Sequence, residues 1–146
     1  MDDVLYSSDK TDWRTPPDLF GRLNREFRFT LDAAASHENA LCKRYFTEED
    51  DGLARCWDGE FAFCNPPYGA MTDAWVKKAS EIKRGVAVML LAARTDTKRF
   101  HRWIYHQAEI RFIPSRVHFL KPDGTPAGAA PFPSMIVIYH HLWKER

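Results

Sequence analysis

In the stretch FAFCNPPYGAM, residues 61–71, a pattern typical of a β-strand stops abruptly. An apolar run ends at an amide, two prolines and an aromatic ring. Neither Pro66 nor Pro67 has an amide hydrogen to donate to a neighbouring strand, and each restricts the residue before it to an extended conformation. The sequence therefore predicts a buried strand that ends at Asn65 and a chain that leaves the sheet stiffly.

The residues after this stretch complete a strand-helix-strand pattern. TDAWVKKASEIKR, residues 72–84, places Trp75, Ala79 and Ile82 on one helical stripe, with Thr72 as a candidate cap. GVAVMLL, residues 85–91, is a continuous apolar run, which is typical of strands covered on both faces by helices. The pattern predicts a β-α-β unit and hence a parallel pair of strands.

The residues before this stretch predict another helix and strand. TPPDLFGRLNREF, residues 15–27, has Thr15 as a candidate N-cap and Pro16 as the first helical residue. FRFTLD, residues 27–32, alternates apolar and polar side chains and predicts a strand ending at Asp32.

The C-terminal third predicts a third helix and then mostly strands. The helix covers DTKRFHRWIYHQ, residues 96–107, and the strands are EIRFI, RVHFL and SMIVIYH, with a turn at KPDGTP between the last two. We expect a single α/β domain over residues 1–146, with a mostly parallel sheet and antiparallel C-terminal strands at its edge.

Three polar residues each follow a predicted strand: Asp32, Asn65 and Arg94. In open sheets of this class, ligands bind beyond the carboxyl ends of the strands. The three side chains are therefore predicted to meet at one rim of the sheet.

The NPPY tetrapeptide at residues 65–68 suits chemistry on an amino group. The side-chain carbonyl of Asn65 and the main-chain carbonyl of Pro66 are two adjacent acceptors, which together hold both hydrogens of an amine and aim its lone pair. The ring of Tyr68 offers a face on which a base can stack. The alternative is an ordinary turn, because Asn, Pro and Gly dominate turns for conformational reasons.

Charge is distributed unevenly along the chain. Residues 1–60 contain 8 Lys and Arg against 14 Asp and Glu, whereas residues 94–121 contain 7 against 2. The basic segment indicates either a solvated face or a surface that lies along a polyanion. Cys42, Cys56 and Cys64 have no zinc-ligand spacing, so we predict no metal. With no signal-peptide pattern and no apolar run of membrane-spanning length, we expect a soluble cytoplasmic protein that binds no membrane.

Several sequence blocks, in the order in which they occur, give the chain a resemblance to the phage-type DNA N-6-adenine methyltransferases, which depend on S-adenosylmethionine. The resemblance covers residues 8–140 through WRTPPDLF, FTLDAAAS, YFTEEDDGL, FCNPPYG, LLAARTDTKRFH, IRFIPSRVHF and AAPFPSMIVIY. It implies a Rossmann-like methyltransferase fold, transfer of a methyl group to the N6 amine of a flipped adenine in double-stranded DNA, no metal, and a bacterial or phage-infected host cell. AAAS replaces the usual glycine-rich signature, so the loop after the first strand is expected to turn differently.

The resemblance also implies roles for individual residues. The catalytic set is Asn65, Pro66, Pro67 and Tyr68. The cofactor-binding set is Trp13, Thr15, Pro16, Asp32, Asn65, and either Asp50 or Asp51 on the ribose. From the position of the basic segment beside the rim, we predict contacts to DNA from Arg94, Lys98, Arg99, Arg102 and Arg116.

Only 32 positions separate Asp32 from Asn65, too few for two complete strand-helix repeats of about 30 residues each. The middle of the sheet is therefore predicted to be abbreviated, with no separate target-recognition domain. Recognition of DNA would then come from loops, from the second subunit of a homodimer, or from loose specificity. Two other functions stay open: a methyltransferase acting on RNA or a protein glutamine, and a catalytically silent nucleic-acid-binding module.

Overall fold

The computed structural model describes residues 13–140. The N-terminal residues on which the prediction of no signal peptide rests lie outside this range. Two α-helices and seven strands are present in the described part: α1 (Pro17–Phe27), β1 (Leu31–Asp32), β2 (Phe61–Cys64), α2 (Thr72–Ser80), β3 (Val86–Ala92), β4 (Glu109–Phe112), β5 (His118–Leu120), β6 (Pro126–Ala129) and β7 (Ser134–His140). None of the described helices is long and apolar enough to cross a membrane.

Five strands form the main sheet in the order β1-β2-β3-β7-β4. The first three strands, β1, β2 and β3, pair in parallel. Strand β7 runs antiparallel to both of its neighbours, β3 and β4. Its pairing with β3 extends from Val86 opposite His140 to Ala92 opposite Ser134. The predicted mostly parallel α/β sheet is confirmed. The antiparallel strand, however, is internal rather than at the edge. β7 is apolar enough for this place, since it is buried along its length up to Tyr139.

Helices and a hairpin cover the two faces of the sheet. Along β3, Ala87, Met89 and Leu91 pack into the core beneath α2, whereas Val88 and Leu90 pack into a second core beneath α1 and the β5–β6 hairpin. Because both faces of the strand are buried, both sets of alternating side chains are apolar. This arrangement confirms the double coverage predicted for residues 85–91.

Helix α1 starts one residue later than predicted. Pro16 is its N-cap in extended conformation, Pro17 is the first helical residue, and no side chain caps the helix. The expectation that Thr15 is the N-cap is therefore wrong. The helix ends at Arg28, whose φ of 52° puts it in the left-handed region and whose amide donates to the carbonyl of Asn24.

Strand β1 is much shorter than the predicted strand over residues 27–32. Phe27 belongs to α1, and Phe29 packs its ring against Phe20 and Phe63 without joining a strand. The link from β1 to β2 contains no α-helix, only the short 3-10 turn Gly52–Ala54. The predicted abbreviation of the sheet lies in this link.

The third predicted helix is mainly a π-helix, Phe100–Ile104. Its apolar side is as expected, with Phe100 and Ile104 buried, while Lys98 and Arg102 are exposed. KPDGTP forms a turn, but it joins β5 to a strand that the sequence did not predict, β6. The resulting hairpin is pinned to the N-terminal residues by a bridge between Arg14 and Leu120.

Candidate active site

The carboxyl ends of β1, β2 and β3 meet at one rim, as their parallel pairing requires. Two neighbouring cavities open there, and residues 65–68 lie between them. Asn65 and Pro67 face the first cavity, Pro66 faces the second, and Tyr68 borders each of them. The NPPY segment therefore forms a wall between two spaces.

The side-chain amide of Asn65 is held through its nitrogen atom. Its Nδ2 donates to the main-chain oxygen of Trp13 at 2.9 Å and to Oγ1 of Thr15 at 3.1 Å. Since a carbonyl oxygen only accepts, the contact with Trp13 identifies the nitrogen end of the amide. Both amide hydrogens are used, so Oδ1 is the atom left for a ligand.

Helix α2 fixes the other end of the segment. The hydroxyl of Thr72 donates to the carbonyl of Pro67 at 2.9 Å. Thr72 is the first residue of α2, and Met71 is the N-cap without a side-chain hydrogen bond. The expectation that Thr72 caps the helix is wrong, because its hydroxyl holds the NPPY segment instead.

Tyr68 stands among other rings. Its ring meets those of Phe119 and Phe132 edge-on, with centroids 6.1 Å and 5.6 Å apart. A T-shaped contact sets the angle between two ring planes. The ring thus stands at the boundary of the two cavities with its plane fixed by aromatic contacts.

The first cavity is acidic and has a volume of about 870 Å³, within the ~300–1,000 Å³ of ordinary ligand pockets. Among the described residues that line it, five carry carboxyl groups, whereas one is an arginine, Arg14, and one a histidine, His37. The carboxyl groups are those of Asp32, Glu38, Glu48, Glu49 and Asp51. We call it the acidic cavity. Its lining also includes Trp13, Thr15 and Asn65.

Asp32 is nearly fully buried at the base of the acidic cavity, with 4% of its surface exposed. Burial raises the pKa of its carboxyl group to about 6, although the amide of Leu41, which donates to Oδ2 at 3.1 Å, acts in the opposite direction. Burial, and then the charge of Asp32, raise the pKa of the Cys42 thiol to about 11. A nearby cation would stabilise the ionised form of Asp32.

The structure separates Asp50 from Asp51. Asp50 accepts hydrogen bonds from the amide and the hydroxyl of Thr47 at 2.9 and 3.1 Å, and these contacts lower the pKa of its carboxyl group. Asp51 is exposed, has a φ of 58° and lines the acidic cavity. Of the two candidates for the ribose, only Asp51 borders this space.

Close backbone packing fixes the position of Asp51. A Cβ atom on the next residue, Gly52, would lie 2.5 Å from the carbonyl oxygen of Ala33 and 2.9 Å from the ring of Trp75. The carbonyl of Gly52 also accepts a 2.9 Å hydrogen bond from the indole of buried Trp57. This turn is therefore held against the end of β1.

The alanine-rich loop at residues 33–36 turns without any residue in the left-handed region. The amide of Ala33 donates to Phe63 and that of Ala35 to Phe46, each at 2.9 Å. Glycine is therefore not needed here on conformational grounds. This explains how AAAS can stand where a glycine-rich loop was expected.

The second cavity has a volume of about 320 Å³, and its charged lining residues in the described part are Arg94 and Arg99. We call it the arginine cavity. The guanidinium carbon of Arg94 lies 5.6 Å from the ring centroid of Phe132, which also lines this space. Sequence analysis assigned no role to Phe132, although the AAPFPSM block that contains it was the available signal.

The other predicted DNA-binding residues differ in their surroundings. Arg99 is half-buried and forms an ion pair with Asp73. Arg102 is exposed, with its guanidinium carbon 5.0 Å from the ring centroid of Trp103. Lys98 and Arg116 are exposed, and neither they nor Arg102 line the arginine cavity. Pro16 and Asp50 are likewise absent from the lining of the acidic cavity.

Over residues 13–140 there is no group of three or more His, Cys, Asp or Glu side chains placed to hold a metal ion. A sheet with parallel strands, ligand-sized cavities at their carboxyl ends and covered faces defines a Rossmann-like domain. Residues 4–146 match the family model described as DNA N-6-adenine-methyltransferase (Dam), and the chain belongs to this family.

Two phage proteins named DNA N-6-adenine-methyltransferase are similar to this chain. The protein of Haemophilus phage HP1 is 30% identical over 138 residues, covering 90% of this chain and 80% of its own length. The protein of Escherichia phage T1 is 35% identical over 105 residues, covering 69% of this chain. The match spans only 44% of the phage T1 protein's own length.

Proposed function

We propose that this chain transfers a methyl group from S-adenosylmethionine to the N6 amine of adenine in double-stranded DNA, within a bacterial or phage-infected cell. Family membership supports the reaction class. The observation that carries the proposal is the NPPY wall, because it faces an acidic cavity on one side and an arginine-lined cavity on the other. A cationic methyl donor and an anionic nucleic acid call for opposite electrostatic surroundings.

The acidic cavity fits the cofactor. S-adenosylmethionine, when bound, would supply a methyl group from its cationic sulfur, and the sulfur would keep the bonding electron pair. The amine nitrogen that receives the methyl group would lose a proton to water. Asp51 is the proposed acceptor for the ribose hydroxyls, and buried Asp32 is the proposed partner of a cofactor donor group. Trp13 and residues 34–36, which line the cavity, would surround the rest of the cofactor. Pro16, which lies outside the lining, acts only by starting α1.

The arginine cavity fits a base taken out of the duplex. Extruding a base costs a few kcal/mol, and stacking on an aromatic ring returns about 1–3 kcal/mol. Tyr68 offers its ring at the border of the cavity and Phe132 lines it. We propose that Oδ1 of Asn65 and the carbonyl of Pro66 accept the two amine hydrogens, with Pro66 and Pro67 fixing the direction of these oxygens. The chain then acts through oriented acceptors rather than through a general base.

Contacts with the DNA backbone would come from arginines and lysines near this cavity. Arg94 is the strongest candidate, since it lines the cavity and is exposed. Lys98, Arg102 and Arg116 are exposed and suited to phosphates, whereas Arg99 would first have to give up its ion pair with Asp73. We propose that one methyltransferase domain does this work, with sequence recognition from its loops or from a second copy in a homodimer.

The test is incubation of the purified chain with cofactor labelled in the methyl group, followed by nucleoside analysis. Unmethylated duplex DNA, RNA and a protein mixture serve as parallel substrates. We expect label in N6-methyladenine from DNA. Label only in RNA or in glutamine would reject the proposal in favour of another methyl acceptor. Cofactor binding without transfer to any substrate would indicate a silent nucleic-acid-binding module.

A further inference from the structure

The hydroxyl of Thr15 has a role that helix capping does not explain. Thr15 is buried, with 6% of its surface exposed, and it precedes the N-cap of α1. Helix α1 has no side-chain cap, so this hydroxyl does not serve the helix. It accepts instead from Nδ2 of Asn65 at 3.1 Å.

The main chain on either side of Arg14 makes this contact rigid. Arg14 and Leu120 exchange two backbone hydrogen bonds, of 2.9 and 3.0 Å, which pair the N-terminal segment with β5. The two acceptors for the Asn65 amide, the carbonyl of Trp13 and the hydroxyl of Thr15, flank this paired residue. A single acceptor would still let the amide pivot about one hydrogen bond, whereas two acceptors fix its plane.

We infer that Thr15 is a positioning residue for methyl transfer: it holds the amide of Asn65 so that Oδ1 stays available to the target amine. This inference rests on the proposed function, because only a target amine gives the freed oxygen something to accept. It differs from the role that the family resemblance gives Thr15, which is contact with the cofactor. The two roles predict different kinetics.

Thr15→Val and Thr15→Ser separate these roles, since valine keeps the shape of threonine without its oxygen and serine keeps the oxygen. We expect Thr15→Val to lower the single-turnover rate of N6-adenine methylation at saturating cofactor by about 10–100-fold, short of the ~10²–10³-fold typical when a group that stabilises a transition state directly is removed. The dissociation constant for S-adenosylmethionine should stay within about threefold. Thr15→Ser should restore most of the rate.

Thr30→Val is the matched control. It also removes a threonine hydroxyl that accepts a hydrogen bond, here from the main-chain amide of Phe61 at 2.9 Å, but at the opposite end of β1 from the rim. It should leave the single-turnover rate within about twofold of the unaltered protein. If both valine variants slow methylation equally, general loosening is responsible and the inference fails.

A second readout does not depend on activity. Hydrogen exchange at the side-chain amide of Asn65, followed by NMR, should be slowed in the unaltered protein and in Thr15→Ser and faster in Thr15→Val. A rate unchanged at saturating cofactor, together with weaker cofactor binding, would instead make Thr15 a cofactor ligand. If the unaltered chain makes no N6-methyladenine, the proposed function fails, and equal amide exchange in Thr15→Val and the unaltered chain would also overturn the inference.

Discussion

The two cavities beside the NPPY wall share Tyr68 but differ in almost every other respect. The acidic cavity is built from loops that are locked by backbone contacts at Gly52, Ala33 and Ala35. The arginine cavity is smaller, and Arg94, one of its two arginines, is exposed. This difference is the basis for proposing that the acidic cavity binds the cationic cofactor and that the arginine cavity faces the DNA.

The largest expected effect comes from removing the oxygen that we propose accepts from the target amine. Asn65→Ala deletes the acceptor Oδ1, and we expect the single-turnover methylation rate to fall by roughly 10²–10³-fold, as for loss of one preorganised polar group. Cofactor affinity, measured by calorimetry, should change by less than about fivefold. A rate within tenfold of the unaltered protein would contradict the proposed role of the wall.

A smaller effect, on cofactor affinity, should distinguish the adjacent carboxylates Asp50 and Asp51, of which Asp51 lines the acidic cavity. Asp51→Asn removes a charged acceptor from the acidic cavity, and since hydrogen bonds to charged groups contribute ~1.5–3 kcal/mol, we expect cofactor affinity to drop by about tenfold or more. Asp50→Asn alters the turn with Thr47 and should change affinity by less than about threefold. Equal losses in calorimetry would remove the distinction between them.

The acidic cavity should also show pH-dependent binding through Asp32. In the free protein this carboxyl has a pKa of about 6 because it is buried, and a bound cation lowers the pKa by favouring the ionised form. Affinity for S-adenosylmethionine should therefore rise several-fold from pH 5 to pH 7 and then level. Calorimetry in two buffers of different ionisation enthalpy measures the proton release that should accompany binding. Asp32→Asn should abolish the pH dependence.

The same carboxyl has the opposite consequence for folding without cofactor. Its pKa is raised above the unfolded value of 3.8, so the folded state binds the proton more tightly and loses stability as pH rises through about 4 to 6. Asp32→Asn should thus gain on the order of 1–3 kcal/mol relative to the unaltered protein at pH 8 and little at pH 4. Urea unfolding at the two pH values measures the difference, and a gain independent of pH would argue against a raised pKa.

The smallest effect concerns the arginine cavity. Arg94→Ala should reduce the slope of log affinity for DNA against log salt by about one, the value for one lost phosphate contact. Arg99→Ala should change the slope less, because Asp73 already neutralises that side chain. Lys77→Ala, an exposed lysine paired with Glu81 on α2, is the control. An unchanged slope in Arg94→Ala would mean that Arg94 does not contact phosphate.

Most of the strand and helix order was predictable because the apolar patterns are strong along β2, α2, β3 and β7, but β6 was missed. Boundaries were less predictable. The alternation in residues 27–32 predicts a strand, but the helical C-cap at Arg28 and the aromatic cluster around Phe29 take those residues out of the sheet. The internal position of β7 was also hidden, since strand order depends on contacts between residues far apart in the chain.

The sequence by itself determined which groups stand at the rim: an amide, two prolines and a tyrosine directly after a buried strand, with an acidic half of the chain before them and a basic segment after them. Proline stiffness and strand periodicity are local properties, so they can be read from neighbouring residues. Only the tertiary structure decided that Thr15 and Thr72 hold the NPPY segment, that Asp51 and not Asp50 borders the acidic cavity, and that Phe132 lies beside Arg94. Those contacts join residues up to 50 positions apart, and only the packing of the whole chain brings them together.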